Sequence, residues 1–70
     1  MQGEATADAA KQAKIFYEQG VAKRRQGNLS GARNDFRRAA ELDASLREAK
    51  AAVDMLDDIL QFGNTEQHNV

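Results

Sequence analysis

Asp54, Asp57 and Asp58 are the densest group of side chains in this sequence that chemistry could use. Spaced three and four apart on a helix, they share one face, and general acid–base work or metal binding would need further ligands converging on them. None follows. The only histidine, His68, stands near the end of the chain, where nothing in the pattern fixes it for proton transfer. There is no cysteine, which excludes thiol nucleophiles, disulfides and thiolate metal sites. Gly27 and Gly31 fit neither phosphate-cradling spacing. The reading is a non-enzymatic chain with no catalytic residue, no cofactor and no metal, whose three aspartates serve solubility first.

The basic residues are unevenly placed. Between 23 and 38 stand Lys23, Arg24, Arg25, Arg33, Arg37 and Arg38 against Asp35 alone. From 44 onward Arg47 and Lys50 face Glu48, Asp54, Asp57, Asp58 and Glu66. This asymmetry suits head-to-tail association, an acidic partner or a solvated surface. Arginines on a second helix after a glycine turn superficially resemble a helix-turn-helix, with Arg33, Arg37 and Arg38 free for phosphates. A net charge of −1 and a pI near 5.7 count against that nucleic-acid reading.

Seventy residues make one domain, whose single core supplies only about 3–5 kcal/mol. With no proline and no alternating β-branched runs, the fold class is all-α. The spacing predicts three helices, over about 7–26, from Ser30 to about Leu42, and over 46–62. Residues 1–6 are expected to be disordered and 63–70 a flexible tail. Thr6 or Asp8 is the expected first N-cap and Ser30 the second. Gly27 ends the first helix in the left-handed conformation. Ser45 and Glu48 form a capping box for the third, and Gly63-Asn64 stops it. On the third helix, Leu46, Ala49, Val53, Leu56 and Leu60 form the stripe that packs back on the hairpin. Ala52, Met55, Ile59 and Phe62 form a second stripe, and Lys50, Asp54, Asp57 and Gln61 the polar face. Gly20 and Ala32, the small residues of the hairpin, are expected to meet where its two helices cross.

In order, Phe16, Tyr17, Gly20, Gly27-Asn28-Leu29, Ala32, Phe36, Ala39 and Leu42-Asp43 resemble one tetratricopeptide repeat of 34 residues, roughly Ala13 to Leu46. The following helix resembles the start of a second repeat. Gln19 and Lys23 depart from the family's usual leucine and tyrosine, and Ala44 from its proline. The 34-residue offset carries Phe16 onto Lys50, Gly20 onto Asp54 and Lys23 onto Asp57. That polar set makes the third helix a solvating cap, with the chain ending there.

The resemblance implies a protein-interaction module whose concave face is lined by the first and third helices. Lys14, Tyr17, Val21, Arg24 and Arg25 would come from the first, and Glu48, Ala51, Met55, Asp58 and Ile59 from the third. Phe62 continues their apolar stripe. Tyr17 and Val21 stand where carboxylate-clamping relatives carry lysine and asparagine, so that specificity is not expected. The alternative is self-association through Met55, Ile59 and Phe62, and the sequence does not separate the two. With no secretory signal and no membrane-length apolar run, the expected location is cytoplasmic.

Overall fold

A computed structural model describes the chain from Thr6 to His68, with side chains described up to Gln61. It is three helices: α1 (Ala7–Arg25), α2 (Leu29–Leu42) and α3 (Arg47–His68). No strand is present among the described residues. The helix α2 packs against both α1 and α3, while α1 and α3 approach each other far less closely.

Each turn is built from short-range hydrogen bonds. Thr6 caps α1, its hydroxyl accepting from the Ala9 N–H at 3.1 Å. Gly27 takes φ 86°, which a glycine reaches without strain. The Gly27 N–H then donates to the Arg24 carbonyl and the Asn28 N–H to that of Lys23, at 3.0 and 2.9 Å. This pair of bonds satisfies the last carbonyls of α1. Asn28 also opens α2, its Oδ1 accepting from the Gly31 N–H at 3.0 Å. The N-cap is therefore Asn28 and not Ser30. Gly31 is small for the same reason, since a Cβ there would lie 2.5 Å from the Asn28 amide nitrogen.

The second turn also departs from the expected capping box. The Asp43 carboxylate accepts from both the backbone N–H and the hydroxyl of Ser45, at 3.0 and 2.6 Å. The Leu46 N–H donates to the Asp43 carbonyl at 3.1 Å. The Ser45 hydroxyl donates to the preceding aspartate and accepts no bond from the Glu48 N–H among the described residues, and α3 begins two residues later, at Arg47. Nor does Gly63-Asn64 stop α3, which continues to His68 in place of a tail from 63. A helical glycine costs only about 1 kcal/mol against alanine; it terminates a helix when it turns left-handed, as Gly27 does.

The core is small and alanine-rich. Ala13, Ala39 and Ala49, one from each helix, are fully buried together, with Phe16, Tyr17, Leu42 and Leu46 around them. Ala32, Phe36, Ala52 and Leu56 form the second cluster, with Tyr17, Val21, Leu29 and Val53 against it. Ala52 therefore belongs to the packed stripe of α3 rather than to the exposed one. Phe36 and Leu56 are the largest fully buried side chains. The Phe36 ring lies over Gly20, where a Cβ would stand 2.7 Å from its Cε1. Gly20 therefore meets the Phe36 ring, one turn along α2 from Ala32, with which Phe36 shares its cluster. Tyr17 closes the other side, with ring centroids 5.3 Å apart.

Asp35 is almost buried (9% exposed), and Lys23 Nζ lies 2.9 Å from its Oδ2 as an ion pair rather than an aligned hydrogen bond. Lys23 thus has a structural task on the α1–α2 seam. A second pair, Arg33 Nη1 to Asp57 Oδ1 at 2.9 Å, ties α2 to α3. Arg33 Nε is buried without a hydrogen-bond partner, which offsets part of that pair's contribution. Asp57 accordingly faces α2 rather than the solvent-facing set expected for it.

Two predictions follow from the packing. Gly20→Ala gains up to about 1 kcal/mol of helix propensity, but overpacking against a buried ring costs about 1–3 kcal/mol. Urea titration should find Gly20→Ala less stable than wild type and Gly20→Leu less stable still, and wild-type stability in both variants would refute the Phe36 contact. For the ion pair, Lys23→Met should lower stability by about 1–2 kcal/mol, below the range for fully buried pairs because Lys23 is partly exposed. Adding Asp35→Leu should restore part of that loss. A double variant no more stable than the single one would show that the pair does not hold the seam.

Candidate interaction surface

On α3 the turns that bury Ala49, Ala52 and Leu56 leave the adjoining strip outside. Met55 and Ile59, one turn apart, are 51% and 47% exposed. Ala51, one turn before Met55, is exposed as well. The strip borders the buried Ala52–Leu56 side at one edge. At the other, at about 100° per residue, come the exposed Asp54 and Asp58. Glu48, also exposed, lies two turns before Met55 on the same face.

Across the second cluster stands α1. Tyr17 and Val21 are half-buried and pack against that cluster, so they are core residues first and floor second. Lys14, Arg24 and Arg25 lie one or two turns from them and are exposed. None forms an ion pair among the described residues, whereas Lys23 and Arg33 do. The face therefore runs from an α1 edge where Lys14 and Arg25 flank the exposed Glu18, over Tyr17 and Val21, to Met55 and Ile59 and an acidic edge on α3. Phe62 lies within α3, and its side chain is outside the described residues. Ile15, 48% exposed, points away from this face.

The reverse side has a shallow cleft of about 370 Å³ between α2 and α3, lined by Arg37, Ala40, Glu41, Ala44, Lys50, Val53 and Asp54. With α2 and α3 antiparallel at the Arg33–Asp57 pair, Arg37 stands level with Asp54 and Glu41 with Lys50. Opposite charges thus face one another over an apolar floor, a self-compensating arrangement. Its charges were legible in the sequence, but their pairing across two helices was not.

The described residues contain no group of three histidine, cysteine, aspartate or glutamate side chains placed to hold a metal ion. No helix among the described residues is long and apolar enough to cross a membrane. Comparison with known proteins finds no matching family model, no matching curated protein and no matching solved structure.

Because Asp57 is engaged by Arg33 while Asp54 and Asp58 stay in solvent, calorimetric titration with Zn²⁺ or Mn²⁺ should show no stoichiometric binding. A chelator-resistant metal lost on Asp54→Asn, Asp57→Asn and Asp58→Asn substitution would overturn this.

Proposed function

We propose that this chain is a non-enzymatic protein-interaction module of the tetratricopeptide-repeat kind, engaging a protein or peptide over the face formed by α1 and α3. The observation that carries the reading is the exposure of Met55 and Ile59. They are two large apolar side chains on adjacent turns of a domain whose apolar supply is scarce. Both are already half covered, so burying the rest would contribute about 1 kcal/mol each, less the freedom lost on association. Contiguous apolar surface of this kind on a small domain marks a binding surface. The charged edges serve partner choice more than affinity.

The order of small and aromatic residues from Phe16 to Asp43 supports the repeat reading. Three aspects of the packing are compatible with it: the tight α1–α2 hairpin, the glycine under Phe36 and the third helix laid along α2. The nucleic-acid alternative loses support because Arg33 is engaged by Asp57 and Arg38 lies over the Phe16 ring, 6.0 Å from its centroid. Self-association through the same α3 strip is favoured by its apolar character alone.

The test is the Met55→Ser/Ile59→Ser variant. Far-UV circular dichroism and melting temperature should stay near wild type, since both residues are half in solvent. Anisotropy with a panel of fluorescent amphipathic helical peptides should show binding to the wild type that the variant loses. Unfolding of the variant would place these residues in the core, and undiminished binding would move the surface elsewhere.

A further inference from the structure

We infer that this chain has a second, dimeric form in which α2 and α3 join into one helix and two copies exchange their α3. Exchange of an identical element is a low-cost route to a dimer, because the contacts that hold the monomer form again between chains. The inference is independent of the α1/α3 face, which exchange rebuilds from α1 of one copy and α3 of the other. The apolar stripe of α2 does not stop at the turn. Phe36, Ala39 and Leu42 lead across it to Leu46, Ala49 and Val53, always at steps of three or four. All six are buried or half-buried. Two successive steps of three, before Leu42, are the one irregularity, which a helix absorbs by local overwinding. Residues 32–62 contain neither glycine nor proline, so no residue there forces a break.

The hydrogen bonds at the turn point the same way. The N–H groups of Arg47 and Glu48 donate to no acceptor among the described residues, so α3 opens without a cap. In a joined helix they acquire the carbonyls four residues back, those of Asp43 and Ala44. The packing then transfers without a change of register. Arg33 pairs with Asp57, Phe36 shares a cluster with Leu56, and Ala39 shares one with Ala49. The midpoints of these pairs are residues 45, 46 and 44. A two-fold axis at residue 45 of two joined helices therefore gives each α2 the same α3 residues from the second copy. Leu42 and Leu46 flank that axis, where the two helices cross. Because α3 packs on α2 and approaches α1 far less closely, few other contacts are disturbed. Against joining stand Asp43 and Ser45, which are poorer helix formers than alanine and lose their two mutual bonds. The hairpin is therefore the dilute form, and the exchanged dimer grows with chain concentration.

The experiment uses the whole chain in sedimentation equilibrium over a range of concentrations, with helix content checked in parallel. Asp43→Ala/Ser45→Ala removes the turn bonds and should raise dimer affinity by about tenfold or more. Adding Ala44→Pro should return that variant to a folded monomer. Asp43 is already extended (φ −144°, ψ 97°), as suits a residue before proline, and the Ala44 N–H donates to no acceptor among the described residues. Proline at 44 therefore fits the hairpin and breaks a joined helix. A distance within one chain separates exchange from docking of two intact hairpins. The chain has no cysteine, so Asn34→Cys/Asp58→Cys places spin labels at two exposed sites, one on α2 and one on α3. Diluted into unlabelled chain, the labels stand on neighbouring helices in the hairpin. In a joined helix they are 58 − 34 = 24 residues apart, about 36 Å along its axis. The dimer of the turn variant should show the long distance. A dimer that keeps the short distance overturns the exchange, and so does a dimer that survives the proline. A folded turn variant that stays monomeric at the highest concentration overturns it as well. Should the turn variant lose helix content, Ser45→Ala alone takes its place in each reading.

Discussion

The fit of Phe36 over Gly20 is the contact on which the other helix placements depend. Among the described residues, Phe36 and Leu56 are the largest side chains fully removed from water. Phe36 is accommodated because α1 presents bare backbone at position 20. A side chain there would push α2 outward and separate the cluster formed by Ala13, Ala39 and Ala49. Alanines contribute little apolar area, so close approach of the backbones must supply dispersion contacts that larger side chains provide elsewhere. Tyr17 bridges the two clusters and couples the close approach at one end to the aromatic packing at the other.

Around that contact the charges fall into two groups. Lys23 with Asp35 and Arg33 with Asp57 lie at the helix seams and hold α2 against its neighbours. The charges left over border the strip that the core does not cover, mostly basic on α1, where Glu18 stands among them, and acidic on α3. A chain with so small a core has little apolar area to spare. Leaving Met55 and Ile59 in water is consistent with a surface reserved for association.

The turns show how local competition sets element boundaries. Ser30 and Asn28 both suit an N-cap, and Asn28 takes the role because the bonds closing α1 have already placed it. Ser45 with Glu48 has the pattern of a capping box, but Ser45 turns its N–H and hydroxyl toward the Asp43 carboxylate, which holds it before the first turn of α3. Both alternatives were visible as residue types, and neither winner could be read from spacing alone.

The sequence by itself determined the three helices, the left-handed glycine between the first two and the apolar stripe of α3 that packs inward, and it narrowed the first cap to Thr6 or Asp8. These follow from backbone preference and from a periodicity that three-dimensional packing does not alter. It also marked Met55 and Ile59 as lying beside the packed stripe. Tertiary structure decided that Ala52 is buried, that the Phe36 ring is what lies over Gly20, and that Asp57 belongs to Arg33. Those outcomes depend on the rotation and axial offset of one helix against another. Ridge-and-groove packing fixes such offsets to within a residue or so, whereas hydrophobic periodicity fixes only which side of each helix faces inward. The same offset sets Lys14 and Arg25, with Glu18 between them, along one edge and Glu48 and Asp58 along the other. The charges were plain in the sequence, but their arrangement as two facing edges exists only once α2 has positioned α1 and α3.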